Sequence, residues 1–218
     1  MSLSDTLRQG AGPIWEKMVT HPFVKEMGDG TLPVGKFSAY FIQDYLFVKD
    51  FSQFLSLALA KAPDFDAARH ISGFLNAALN GEEGLFRRVF EQLGITKAQY
   101  TRARPAPTTV AYGNFLVRLG YDGSFSEIMS AMLPVEWTYL DWAKRLVAAG
   151  KRPTNPVYQE WTDIHAAKEL EDYVGWMRRT VDGAARTGRG RMQALFTTAV
   201  RYEYLFWEAA YRGEKWPG

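Results

Sequence analysis

Three carboxylates stand alone in stretches that are otherwise apolar or aromatic. Asp44 is the only charged residue between Lys36 and Lys49, and Glu136 the only one between Glu127 and Asp141. Glu203 lies in Tyr202-Glu203-Tyr204-Leu205-Phe206-Trp207, with Glu208 its nearest acidic neighbour. Each interrupts a helical pattern that is apolar on nearly every side, the mark of a helix buried all round. An unpaired carboxylate in such a place costs several kcal/mol, or it takes up a proton. Two readings stay open for each. The acid is satisfied by a Tyr hydroxyl, a Trp N–H or an Arg (Arg201 is close to Glu203 in sequence), or it serves a polar pocket inside the core. Three such acids in Tyr-rich helices favour the pocket, where carboxylates bind polar ligand edges and move protons.

Pro134 stands two residues before Glu136. Inside a helix it removes a backbone donor and clashes with the carbonyl four residues back, at Ser130. The kink either swings Val135 and Glu136 off the regular rows or is filled by packing. His21, His70 and His165 are far apart and form no His-x-x-x-His or Glu-x-x-His pair, so no metal is expected. The absence of cysteine excludes disulfides, Cys-ligated zinc and a thiol nucleophile.

The elements that must hold these residues are helical, since no alternating strand pattern occurs. Helices are expected over residues 5–19 (disturbed by Gly10, Gly12 and Pro13), 33–61, 64–79, 82–93, 108–119 (stopped by Gly120), 168–185 and 191–212. The stretch from His21-Pro22-Phe23 to Pro33 is expected to be a turn-rich crossing, tightest at Gly28-Asp29-Gly30. Ser124-Phe125-Ser126-Glu127 is a capping box, so a helix should run from there to about residue 149, ended by Gly150. Asn155-Pro156 is a cap followed by proline at the first helical position. Such stripes bury themselves only as a helical bundle, giving an all-α fold. No repeat or linker divides the chain, so a single domain over 1–218 is expected.

Composition limits the partners. With 26 basic and 24 acidic residues the net charge is +2. The one basic run, Arg186 to Arg191, is short and Gly-rich and is taken as a solvated loop, so no nucleic-acid partner is expected. The N-terminal stretch lacks a signal peptide's apolar core, and no 18-residue uncharged apolar run occurs. A cytoplasmic protein without membrane contact is the expectation. Aromatic residues are 15% of the chain, which suits a flat ligand as well as an ordinary core.

Seven segments in order resemble the TenA/thiaminase II family. They are His21-Pro22-Phe23-Val24, Gly28-Asp29-Gly30-Thr31-Leu32-Pro33, Phe37-(x5)-Gln43-Asp44-Tyr45, Ala111-Tyr112, Leu133-Pro134-(x2)-Trp137-(x)-Tyr139, Pro156-(x)-Tyr158-Gln159-(x)-Trp161 and Tyr202-Glu203-Tyr204-(x)-Phe206-Trp207. The resemblance implies a haem-oxygenase-like multi-helix bundle, usually a homotetramer, with no cofactor. It implies hydrolysis in thiamin salvage: an aminomethyl or formylaminomethyl pyrimidine converted to the hydroxymethyl compound, or thiamin itself cleaved. By matching position Asp44 binds the aminopyrimidine edge, Glu203 protonates a ring nitrogen, Tyr112 supplies a pocket hydroxyl and Phe47 a stacking ring. Val135, Tyr139 and His165 complete the implied substrate-binding set.

Three positions depart from the family pattern. Its nucleophilic cysteine falls at Val135, a common histidine at Phe86, and a pocket tyrosine at His165. A cysteine-independent aminopyrimidine hydrolase is therefore expected, with water in place of the thiol and Glu136 or Glu203 as general base. The alternatives are a homologue that binds a pyrimidine without turning it over, and a different small-molecule reaction on the same fold.

Overall fold

A computed structural model describes residues 1–184 and 188–217, with the side chains of residues 81–83 left out. The expected helix end at residue 185, and the first two residues of the basic run, Arg186 and Thr187, lie outside the described residues. Twelve α-helices occur among the described residues, with no strand. They are α1 (Leu3–Ala11), α2 (Pro13–Val19), α3 (Pro22–Gly28), α4 (Val34–Ala60), α5 (Phe65–Asn76), α6 (Glu82–Gln92), α7 (Lys97–Thr101), α8 (Pro107–Asp122), α9 (Phe125–Ala148), α10 (Pro156–Ala166), α11 (Lys168–Asp182) and α12 (Arg189–Arg212). A π-helical turn, Ala77–Gly81, joins α5 to α6. None of the described helices is long and apolar enough to cross a membrane.

The residues group into two compact units. One holds Met1–Leu32 and Ser126–Trp207, the other Pro33–Phe125 and Glu208–Gly218.

In the first unit, Gly12 at φ 56° splits the expected 5–19 helix into α1 and α2. The expected turn-rich crossing is a correction: residues 22–28 form a helix, α3. Pro22 supplies the first helical φ, and the buried His21 ring accepts at Nδ1 from the Phe23 N–H, 3.1 Å away. The turn itself is confined to Asp29 and Gly30, the glycine at φ 72°. Asn155 caps α10 as its side chain accepts from the Val157 N–H at 3.0 Å. Asp141 on α9 ties the edge of this unit together. It accepts from Arg8 at 2.8 Å, from the Trp15 indole at 2.7 Å and from Arg145 at 2.7 Å.

In the second unit, α8 packs along α4. A Cβ on Gly113 would lie 2.2 Å from the Asp50 carboxylate, and one on Gly120 would lie 2.7 Å from Leu57. The two glycines are seven residues apart, as are their neighbours on α4, so α8 runs parallel to α4 at close range. Gly120 therefore sits inside α8, which continues to Asp122. Its missing side chain serves close approach, and it does not stop the helix as its type suggested.

Candidate active site

Asp44, Phe47 and Tyr112 fall in the second unit. Asp44 lies on α4 with Phe47 nearly one turn further on, and Phe47 stacks on Tyr112 of α8 with ring centroids 4.9 Å apart at 27°. Tyr112 is 1% exposed. The glycine contacts of α8 allow this stack, because they let the two backbones approach.

The start of α8 depends on residues the sequence pattern did not single out. Ala106 at the cap position has no side-chain acceptor, and Pro107 follows it. Gln43 fills the gap: its Oε1 accepts from the Ala106 N–H at 2.8 Å and the Thr109 hydroxyl at 2.7 Å, while its Nε2 donates to the Arg104 carbonyl at 3.2 Å. Glu214 accepts from the Thr108 N–H at 2.9 Å and the Thr108 hydroxyl at 3.0 Å, placing negative charge at a helix N-terminus. The uncapped Ala-Pro-Thr start was the available signal. Gln43, beside Asp44, thus fixes α8 and with it Tyr112.

Asp44 itself has no hydrogen-bond or ionic partner among the described residues. It keeps some surface within reach of water, yet it lies deep enough that burial lifts its carboxyl from 3.8 to about 7. At neutral pH such a carboxyl is divided between acid and anion, so it can donate or accept.

Val135, Glu136, Tyr139, His165 and Glu203 fall in the first unit. Val135 and Tyr139 share one face of α9, four residues apart. Pro134 is inside α9, and its carbonyl accepts from the Thr138 hydroxyl at 2.8 Å. Tyr139 lies 4.9 Å from the His165 ring and 5.5 Å from Trp207, centroid to centroid. Trp207 is one turn beyond Glu203 on α12, and Glu203 is 3% exposed. Arg201 is exposed, and residues two apart on a helix point to different sides, so it is not placed to satisfy Glu203.

Glu136 stands apart from this row. Burial raises the Tyr173 hydroxyl well above its ordinary range, and the nearby Glu136 charge raises it further. Tyr173 lies on α11, so the Glu136 charge is within electrostatic reach of that helix.

His165 sits among Trp161, Tyr139 and Trp142, at ring distances of 4.2, 4.9 and 5.5 Å. Burial pushes its imidazole down to about 4, against the opposing effect of its bond to the Trp161 carbonyl. Phe86, where the resemblance implied a histidine, packs against Phe41, Tyr45 and Phe90 in the second unit. Among the described residues no group of three or more His, Asp or Glu side chains is arranged to hold a metal ion.

A sequence profile described as the TENA/THI-4/PQQC family matches residues 8–213. An aminopyrimidine aminohydrolase of Halalkalibacterium halodurans is 31% identical over 220 residues, covering 99% of this chain and 98% of that protein. The solved TenA homologue from P. horikoshii OT3 is 27% identical with a TM-score of 0.92, covering 98% of this chain and 100% of the other. A haem-oxygenase-like domain from Shewanella denitrificans is 13% identical with a TM-score of 0.74, over 96% of this chain and 92% of the other, a likeness of fold alone.

Proposed function

Because the chain belongs to the TENA/THI-4/PQQC family, we propose that it hydrolyses an aminopyrimidine in thiamin salvage, without a cysteine nucleophile. Water oxygen bonds to the side-arm methylene carbon, the carbon–nitrogen bond breaks, and a water proton leaves on ammonia. Asp44 is the observation that carries the reading: a partnerless, desolvated carboxyl one turn from the Phe47–Tyr112 stack suits an amidine-like ring edge. Held as acid or anion, it matches the donor and acceptor of that edge, while Phe47 supplies a face for the ring.

Glu203 gives its proton to a ring nitrogen, which draws electrons from the side arm; its carboxylate then takes a proton from the attacking water and passes it to the departing nitrogen, and the ring proton returns to Glu203. Glu136 is the weaker candidate for this base, since one residue along α9 turns it about 100° from the face of Val135 and Tyr139. Val135 offers no covalent route, and thiamin cleavage needs that route most, so thiamin is a poor substrate. The homotetramer and the cytoplasmic setting implied by the resemblance belong to the same proposal.

A second reading, capture of a pyrimidine without turnover, is favoured by Val135 alone. Ammonia release from 4-amino-5-aminomethyl-2-methylpyrimidine separates the two. The purified protein should release ammonia from it, and Glu203→Gln should slow release by about 10²–10⁴-fold, the usual worth of a positioned acid or base. Tight binding with no ammonia from the wild type would establish the second reading instead.

A further inference from the structure

His165 is held in one tautomer. Its Nδ1 lies 2.8 Å from the Trp161 carbonyl oxygen, which can only accept, so Nδ1 carries the hydrogen. An imidazole pushed down to about 4 is uncharged at neutral pH, which leaves Nε2 with a lone pair and no hydrogen. No described residue donates to that nitrogen, and it is not sealed from solvent as the partnerless indole nitrogen of Trp142 is. The rings of Trp161, Tyr139 and Trp142 hold the imidazole in place. A buried tyrosine hydroxyl at this position could donate or accept; this histidine can only accept.

We propose that His165 selects substrates whose side arm carries a hydrogen-bond donor, by presenting Nε2 as a fixed acceptor beside Tyr139. The inference rests on the aminopyrimidine reading above. That reading gives Glu203 a ring nitrogen and leaves the side arm for His165. An aminomethyl or formylaminomethyl arm brings an N–H. Thiamin does not: the atom joined to its bridging methylene is a quaternary nitrogen without hydrogen. A ligand without a donor there displaces water from the lone pair and sets an acceptor or an apolar surface against it, which is unfavourable.

The test compares binding of the aminomethyl pyrimidine with that of an analogue whose side arm is a bare methyl group, by titration calorimetry at pH 7. Each protein carries Glu203→Gln to suppress turnover, wild type meaning that His165 is retained. The wild type should prefer the aminomethyl ligand by about tenfold or more, the usual worth of one such bond. His165→Phe keeps a flat ring and removes the acceptor. It should abolish the preference while binding the methyl analogue within about twofold of wild type. His165→Gln, which can still accept, should restore part of the preference. Nitrogen-15 shifts of the wild-type imidazole should report a neutral ring protonated at Nδ1. A preference that survives in His165→Phe, an equal loss for both ligands, or a ring protonated at Nε2 each overturns the inference. A wild type that binds both ligands equally sinks the inference alone, whereas one that binds neither sinks the aminopyrimidine reading and the inference with it.

Discussion

Two aspartates of this chain illustrate opposite uses of a withdrawn charge. Asp141, with its side chain 13% exposed, is surrounded by donors: Arg8, Arg145 and the Trp15 indole, and Arg145 is braced in turn by two bonds to Glu16 at 2.7 and 2.9 Å. The carboxylates beside it hold the Arg145 guanidinium above its already high ordinary range. Asp44 has none of this and is instead pushed up to about 7. A satisfied carboxylate holds helices together, whereas an unsatisfied one is kept against its own stability. Such a group persists where a ligand completes it. The contrast makes predictions of opposite sign for the same conservative substitution.

The larger effect belongs to Asp141→Asn. It leaves two guanidinium groups facing an amide, and breaking such a network is expected to lower stability by about 3 kcal/mol. Chemical denaturation at pH 7 reads this directly. A loss under about 1 kcal/mol would reduce the Asp141 cluster to an ordinary surface ion pair and remove one side of the comparison.

Asp44→Asn should do the reverse to stability and weaken binding. The sign follows from linkage. The folded carboxyl titrates near 7 and the unfolded one near 3.8, so between these values the folded protein holds the extra proton. Stability of the wild type therefore falls as pH rises from about 4 to about 7 and levels off above it. Asparagine removes that slope, so the variant should gain on the wild type across this window. Aminopyrimidine affinity should drop by about 1.5–3 kcal/mol, the worth of a hydrogen bond to a charged group. A variant that binds as well as the wild type would take Asp44 out of the site.

Much of this was legible in the chain before its fold was known. The isolation of Asp44 among apolar residues announced a group without a nearby partner, and none was found in space. The Asn155 cap and the start of α9 beside Ser124 are local chemistry, which sequence carries in full. What depended on packing was not legible. Gly120 read as a helix stop because its close neighbour, Leu57, lies 63 residues away in the chain. His21 read as part of a turn because a histidine ring is an uncommon cap. The single tautomer of His165 needed the tertiary burial of its ring as well as a local carbonyl. The role of Gln43 needed a second helix to arrive with an empty cap.

Glu136 tests whether loneliness in sequence is sufficient to mark a functional acid, and the smallest effect is expected there. By sequence it is as isolated as Asp44. In space its charge lies near enough to Tyr173 on α11 to hinder ionisation of that hydroxyl, a neighbour Asp44 lacks. One residue along a helix is about 100° of rotation, so Glu136 does not share the face of Val135 and Tyr139. Glu136→Gln should therefore cost less than about tenfold in ammonia release, against the far larger loss expected for Glu203→Gln. It should also lower the Tyr173 hydroxyl towards its ordinary range, since part of the upward push disappears with the charge. Tyrosine absorbance followed with pH, with Tyr173→Phe identifying the transition, measures that shift. A hundredfold loss of ammonia release with no change in Tyr173 titration would place Glu136 among the reacting groups. The base would then be the acid next to Val135, and isolation in sequence would have marked all three acids alike.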